Sequence, residues 1–429
     1  MTRQTPVETA PLSFQQEETV ENMQKHPECV LRYDKVLLYR LEGEVDRECL
    51  LGAVDDITAR HAVLRTVMGS TGPGYAQQIR PAPFQALTVR TWPGAGAADV
   101  ARALLEERLT AEGALGGAPL FRMALHQTDD GTLLSFGLHH LVYDGWSVPV
   151  LFRDLSECYR ARTAGTAPEL PELPFSYAEY AVRQRRTWTE NRETAMAFWR
   201  DRLGGVPGTV EWPEPVQPPA VDSSWETEQT PFALGSEISD AVRVAARHAR
   251  TTPFIVLLCA TAVAMARVTG QHDLLIGPDT ANREDPGRRA AVGFYVNYRP
   301  TRVTVRRGER FLDLVRRVWR TWLEADRHRD DDAHQVLREL GSPDVLKVNM
   351  LSFSVGEYDT PLFPGVRVTE VPTAPDAWYW RDFSVVWSGV EDDGFRGVML
   401  YRRARVDLFA ADAVVGHLKK LLADSDVSV

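Results

Sequence analysis

Within one short stretch, His139-His140-Leu141-Val142-Tyr143-Asp144-Gly145 sets two adjacent imidazoles, a carboxylate and a glycine. An imidazole is the usual side chain for moving a proton near neutral pH, because its ordinary pKa lies close to the working range. Asp144 is a natural acceptor for a charge-assisted hydrogen bond from an arginine, which would hold a loop in place rather than take up a proton. Gly145 can adopt a backbone geometry that a side chain would forbid, and its N–H is a candidate donor to a developing oxyanion. With ordinary residue usage, the pattern HHxxxDG arises by chance in roughly one chain in a thousand of this length.

The elements that must position these groups can be read around them. Leu120 to Gln127 and Leu133 to His140 flank Asp129-Asp130-Gly131, a turn signal that predicts an antiparallel hairpin. Val148, Leu151, Phe152, Leu155 and Tyr159 recur at helical spacing, so Asp144 and Gly145 fall in a strand-to-helix turn. Successive strand residues point to opposite faces, so His139 and His140 serve different surroundings while extended: one ring reactive, one structural.

Further segments lie along the chain in a fixed order. Arg60-His61-Ala62-Val63-Leu64-Arg65-Thr66, Tyr177-Ala178-Glu179-Tyr180-Ala181-Val182, Val292-Gly293-Phe294-Tyr295-Val296-Asn297 and Leu408-Phe409 join Gly137 to Ser147 in resembling the motifs of nonribosomal peptide synthetase condensation domains. That family belongs to the chloramphenicol-acetyltransferase-like acyltransferases. The resemblance implies an α/β fold of two sandwich lobes in a V, with a tunnel at their junction. It implies acyl transfer from a phosphopantetheine thioester on a carrier protein to an amine, with no permanently bound cofactor. It assigns His140 to the tunnel, as general base or hydrogen-bonding anchor, with His139 as packed support, Asp144 as brace and Arg283 as the partner of Asp144. Trp146, and the later Trp378-Tyr379-Trp380, are candidates for shaping the substrate tunnel, with core packing the competing reading. Asn349, Ser352 and Ser354 alternate on a predicted strand and are candidates for the tunnel wall, with ordinary strand polarity the alternative. Ester formation or CoA-dependent O-acyl transfer is an alternative function, and recruitment of a partner without chemistry is another.

Departures from the pattern are visible. Ser13-Phe14-Gln15-Gln16-Glu17-Glu18 carries Glu18 where the family has arginine, Ala62 replaces a common glutamate, and Asp332-Ala333-His334-Gln335 is a poor match to a late family segment. Heterocyclising relatives carry paired aspartates in place of HHxxxDG, which disfavours cyclisation. No phosphopantetheine-attachment serine stands after Leu115-Gly116-Gly117 or Leu203-Gly204-Gly205, so a free-standing enzyme meeting its carrier in trans is expected.

Composition narrows the classes. A length of 429 residues suits two packed lobes rather than one core, and 44% hydrophobic with 25% charged residues is the balance of a globular protein. A net charge of −10 argues against a nucleic-acid partner, and the local basic run Arg183 to Arg186 is a candidate patch for carrier-protein docking. Cys29, Cys49, Cys158 and Cys259 are scattered, and no histidine set has metal-ligand spacing, so no metal is expected. Without an apolar leader or a membrane-length apolar run, a cytoplasmic location is expected. A monomer is expected as well.

The apolar stripe Val45, Leu50, Leu51, Val54, Ile57, Leu64, Val67 predicts a long helix that includes His61 and Arg65 and ends in the glycines from Gly69 to Gly74. Ala161 to Pro174 has the texture of an exposed connection, which divides the chain into lobes 1–174 and 175–429. Pro213 to Ser224 reads as a surface stretch. Helices are expected at Ile238 to His248, Pro253 to Val268 and Phe311 to Ala325. Strands are expected at Leu274 to Gly277, Ala291 to Val296, Val303 to Val305, Leu346 to Val355, Val366 to Val371, Phe383 to Val390 and Gly397 to Arg402. Asn282 to Arg289 reads as a charged loop.

Overall fold

The computed structural model describes residues 8–27, 33–72, 74–84, 86–214, 227–341, 349–353, 360–373, 382–390, 394–424 and 429. In chain order the elements begin β1 (Glu8–Pro11), α1 (Phe14–Lys25), β2 (Asp34–Glu42), α2 (Arg47–Arg60), β3 (Thr66–Ser70), β4 (Tyr75–Ile79), β5 (Leu87–Trp92), α3 (Ala97–Glu106) and α4 (Ala111–Leu115). There follow β6 (Phe121–Thr128), β7 (Gly131–His139), α5 (Ser147–Ala164), α6 (Tyr177–Leu203), β8 (Thr227–Ala233), α7 (Gly235–Ala249), α8 (Pro253–Thr269), β9 (Asp273–Ile276) and β10 (Asp279–Thr280). The chain continues through α9 (Pro286–Ala290), β11 (Asn297–Tyr298), β12 (Thr301–Thr304), α10 (Phe311–Ala325), α11 (Ala333–Glu339) and β13 (Asn349–Phe353). It closes with β14 (Arg367–Glu370), β15 (Phe383–Val390), β16 (Gly394–Arg402) and α12 (Leu408–Ala423).

Two compact units result, one made of 1–187, 281–296 and 357–376 and the other of 188–280, 297–356 and 377–429. The division expected at 174/175 is therefore replaced by interleaved units, and the chain passes from one to the other inside α6. The reason lies in the helix's own burial: Tyr177, Ala178, Tyr180 and Ala181 are buried at its start, while Ala195, Met196, Trp199 and Leu203 join a separate apolar cluster at its end.

The first unit is built on a five-stranded sheet ordered β14-β2-β7-β6-β5, beside a three-stranded sheet ordered β1-β4-β3. β6 and β7 form the expected hairpin around Asp129-Asp130-Gly131, with Thr128 opposite Gly131, which sits at φ +121° where glycine carries no steric penalty. Against one face of this sheet pack α2 and α5, and Tyr39, Phe136 and Phe152 meet there with ring centroids 5.1 to 6.0 Å apart. Such edge-on and tilted aromatic contacts stabilise beyond the area they bury.

One expected element changes at the sequence Arg60 to Thr66. α2 stops at Arg60, His61 leaves helical geometry at φ −100° and ψ 87°, Ala62–Arg65 form a single 3-10 turn, and Thr66 opens β3. His61 and Arg65 are thus not residues of one long helix, and Gly69 lies inside β3 rather than at a helix end. In the second unit a four-stranded sheet ordered β13-β15-β16-β8 packs with α7, α8, α10 and α12 around Phe383, Trp387 and Met399. The apolar run Phe254 to Val268 is the interior of α8, whose residues Ile255 to Ala266 are buried. Among the described residues no single helix is long and apolar enough to cross a membrane. Most of Pro213 to Ser224 lies outside the described residues.

Candidate active site

β7 delivers the two imidazoles to different environments. His139 is its last residue, fully buried, opposite Asp34 of β2, whereas His140 stands in the following turn and is half-buried. The Nδ1 of His139 accepts from the N–H of Leu141 at 3.2 Å, which leaves the proton of the neutral ring on Nε2. Burial, with smaller contributions from His140 and Arg122, pushes the His139 pKa down to about 3. A ring held neutral and enclosed in this way supports the turn and takes up no second proton near pH 7.

His140 is fixed from several sides. Its backbone N–H donates to the carbonyl of Tyr33 at 2.6 Å, and its ring centroid lies 4.5 Å from Phe294, 5.2 Å from Tyr143 and 6.4 Å from Tyr33. The carbonyl of the next residue, Leu141, accepts from Gln16 Nε2 at 2.8 Å. Gln16 is itself held by a capping box at the start of α1, where Ser13 Oγ accepts the Gln16 N–H and Gln16 Oε1 accepts the Ser13 N–H. Glu18, which stands where the resemblance expected arginine, accepts from Asn22 Nδ2 at 3.3 Å within the same helix.

Asp144 is a buried hub, 2% exposed. Its Oδ1 accepts from the N–H of Ser147 at 2.9 Å and from Arg283 Nη2 at 2.7 Å, and its Oδ2 accepts from the N–H groups of Tyr295 at 2.9 Å and Val296 at 3.2 Å. Arg283 is 3% exposed and spends its remaining reach on carbonyls, with Nη1 donating to Ala291 at 2.6 Å and Nη2 to Gly293 at 3.1 Å. Its guanidinium also lies 4.6 Å over the Tyr295 ring. The Ser147 hydroxyl sits between the partners, 2.8 Å from Asp144 Oδ1, 2.9 Å from the Gly293 carbonyl and 3.0 Å from Arg283 Nη2. The loop 281–296 thus supplies a buried cation rather than an exposed charged turn.

The segment expected as the strand Ala291 to Val296 is irregular, and strand structure begins only at Asn297. Side chains, not a neighbouring strand, satisfy its backbone. Besides the Asp144 and Arg283 bonds, the N–H of Val292 donates to His61 Nδ1 at 3.3 Å, the carbonyl of Phe294 accepts from the Tyr177 hydroxyl at 2.8 Å, and that of Tyr295 accepts from Asn282 Nδ2 at 3.1 Å. Tyr177 also lies 2.8 Å from Ser13 Oγ, and with Phe294 accepting the phenolic proton, Ser13 is the donor there.

A second buried cluster lies behind the first. Asp154 of α5, with a fully buried side chain, accepts from His61 Nε2 at 2.8 Å, Arg60 Nε at 2.9 Å and Arg153 Nε at 2.7 Å. Burial pushes the His61 pKa below its ordinary value, outweighing Asp154, so the ring is neutral and donates from Nε2. Burial also works against ionisation of Asp154, but its hydrogen bonds from His61 and Arg153 prevail and hold its pKa low.

The remaining candidate residues fall in different places. Gly145 is exposed, and it is not among the glycines with positive φ, so the special geometry expected of it is not found. Trp146 is 37% exposed and its Nε1 donates to the carbonyl of Arg289 at 3.3 Å. Asn349 and Ser352 lie on β13, while Ser354 and Trp378-Tyr379-Trp380 lie outside the described residues, as does Cys29. Arg185, part of the basic run, donates to the Leu12 carbonyl at 2.6 Å and to Glu17 at 2.8 Å, which commits it within the first unit. Among the described residues no group of His, Cys, Asp and Glu side chains is arranged to hold a metal ion. The chemistry open to this arrangement is that of a half-buried imidazole, His140, on a rigid mount.

Sequence reasoning missed Ser147, Gln16, Phe294 and the His61–Asp154 pair as parts of this structure. Asp144 and Ser147 stand at the spacing of a side-chain-to-backbone turn, which was a readable signal for the first.

Comparison with known proteins gives the family and the fold. A family model described as "Condensation domain" matches residues 8–356. Phosphinothricin tripeptide synthetase PhsB of Streptomyces viridochromogenes is 34% identical over 338 residues, covering 77% of this chain and 28% of that protein. The chain therefore spans under a third of the length of such curated relatives. Among solved structures, the X-domain from teicoplanin biosynthesis superposes with a TM-score of 0.83 at 24% identity, covering 99% of this chain and 97% of that one. The X-domain in complex with OxyB gives the same score at 25% identity, over 98% and 95% of the two chains. The shared fold is the two-lobe α/β fold of the chloramphenicol-acetyltransferase type. By the match of its family model over most of its length, the chain belongs to the condensation domain family of the nonribosomal peptide synthetases.

Proposed function

We propose that this chain forms an amide bond, moving an acyl or aminoacyl group from a carrier-protein phosphopantetheine thioester to an amine. The carrying observation is the unequal pair at the end of β7. His139 is enclosed, neutral and bonded to its own turn, while His140 is half-buried beside a loop pinned by Asp144 and Arg283. In the reaction the amine nitrogen attacks the thioester carbonyl, the C–N bond forms, the C–S bond breaks, and the proton lost by nitrogen balances the one gained by the leaving thiol. His140 handles that proton or anchors the attacking nitrogen, Asp144 and Arg283 hold the turn, and His139 supports it from the core. If the acceptor nitrogen arrives as a free amine, placement supplies much of the acceleration. A hydroxyl acceptor would depend more heavily on base assistance.

The test is intact-mass analysis of acyl-loaded carrier proteins incubated with the chain and with amine or alcohol acceptors, comparing wild type with His140→Ala. Loss of transfer in a folded His140→Ala protein is expected. Undiminished transfer would remove His140 from the chemistry, and transfer only to alcohols would favour the ester-forming alternative. A second reading has one observation in its favour: a structural relative of high similarity is recorded in complex with OxyB. A recruiting module would bind a partner enzyme and show no transfer by wild type with any loaded carrier.

A further inference from the structure

We infer that Phe294 is a positioning residue for His140, and that Tyr177 acts through it. This inference rests on the proposed role of His140. The segment 292–296 lacks strand pairing, yet its backbone is tied at every residue: Val292 to His61, Gly293 to Ser147 and Arg283, Phe294 to Tyr177, Tyr295 to Asp144 and Asn282, and Val296 to Asp144. So many buried side-chain bonds on one irregular stretch fix its path, since each would leave an unsatisfied group if the segment moved.

A fixed path presents a fixed side chain. Phe294 is 6% exposed, and its ring lies 4.5 Å from the His140 ring, tilted by 56°. Among the described residues its centroid lies nearer this imidazole than those of Tyr143 at 5.2 Å and Tyr33 at 6.4 Å. An imidazole has a broad, roughly two-fold torsional profile about its last side-chain bond, so a wall on one side selects the orientation of its nitrogens. The Phe294 carbonyl accepts from the Tyr177 hydroxyl, which is backed in turn by Ser13. Removing that hydroxyl loosens the wall without touching any ring near His140.

The experiment combines turnover with an observation of His140 itself. Wild type, Phe294→Leu, Phe294→Tyr and Tyr177→Phe are assayed with aminoacyl-pantetheine thioesters and free amino-acid acceptors. Each is also labelled with 13C-histidine, and the His140 ring signals are assigned by their loss in His140→Gln. The expected result is a kcat lower by roughly 10- to 100-fold in Phe294→Leu, with KM little changed, His140 signals shifted and broadened, and substantial recovery of both in Phe294→Tyr. Tyr177→Phe should show the same signs in milder form, and it decides the matter if Phe294→Leu fails to fold. Unchanged His140 signals in folded Phe294→Leu or Tyr177→Phe would overturn the inference, whatever the rate does. If wild type shows no transfer, the functional reading fails, and the ring signals alone still judge the positioning.

Discussion

Replacing Asp144 by alanine removes the charge at the centre of a closed network, and the structure allows its cost to be worked out. Five donors face the carboxylate: the N–H groups of Ser147, Tyr295 and Val296, the Ser147 hydroxyl and Arg283 Nη2. Breaking a buried pair from one side costs about 3 to 5 kcal/mol, because a charge is left without its partner. Arg283 keeps carbonyl acceptors at Ala291 and Gly293, which moderates the electrostatic part, but the N–H groups of Tyr295 and Val296 lose their acceptor, at about 1 kcal/mol or more each. The full range of about 3 to 5 kcal/mol therefore applies. Arg283→Ala should cost less, about 2 to 3 kcal/mol, because Asp144 keeps its four other donors.

For a unit of roughly 200 residues, about 3 to 5 kcal/mol corresponds to a melting point lower by about 6 to 20 °C. The assay is urea and thermal unfolding of the first transition, followed by circular dichroism, for wild type, both single variants and the double variant. The double variant should be more stable than the sum of the two losses, with a coupling of about 1 to 3 kcal/mol. An Asp144→Ala protein melting within a degree or two of wild type, or strictly additive losses, would refute the reasoning. His140→Ala serves as contrast, since a half-buried imidazole should be lost with little change in melting.

Three further outcomes are expected. The pKa of His139 is held near 3, below its ordinary 6.5, so its contribution to stability is full above pH 6.5 and is lost as pH falls toward 3; urea midpoints at about pH 7.5 and pH 5 should show a wild-type loss exceeding that of His139→Gln by about 2 kcal/mol. Gln16→Leu deletes the donor to the buried Leu141 carbonyl and one half of the capping box, so unfolding curves should show a loss of about 1 to 3 kcal/mol, and no loss would contradict the role given to that bond. Burial pushes the Cys158 thiol up to about 12 and the Cys259 thiol higher still, so native protein treated with iodoacetamide and mapped by peptide mass should leave both unmodified until it is unfolded.

Much of the first unit's site was legible because its signals are local. The turn Asp129-Asp130-Gly131 and the alternation along Leu133 to His139 specify the hairpin, whereas the two imidazoles are separated because the strand ends between them and His140 already belongs to the turn. The spacing from Val148 to Tyr159 specifies α5, and the apolar face of Phe311 to Ala325 matches α10 residue for residue. What was not legible depends on partners far along the chain. The stripe from Val45 to Val67 reads as one helix because Leu64 and Val67 keep the apolar rhythm, yet the helix ends at Arg60, where His61 turns to reach Asp154 and Val292. Ala291 to Val296 has strand composition but no strand, since its polar backbone is claimed by residues that no local window contains.

The scattered motifs become one statement when the backbone of 292–296 is taken as the object they serve. His61 comes from the Arg60 to Thr66 segment, Asp144 and Ser147 from the histidine turn, Tyr177 from the start of α6, and Asn282 and Arg283 from the loop just before the segment itself. A buried irregular stretch must satisfy each N–H and C=O, and without a neighbouring strand only side chains are left to do so. Their spacing in sequence then carries no period, because it records where the chain happens to pass the same point in space. The gain over a regular strand is direction. A ladder would alternate side chains above and below the sheet, whereas a stretch pinned by side chains can aim one ring, Phe294, at His140 while its neighbour Tyr295 stacks on Arg283.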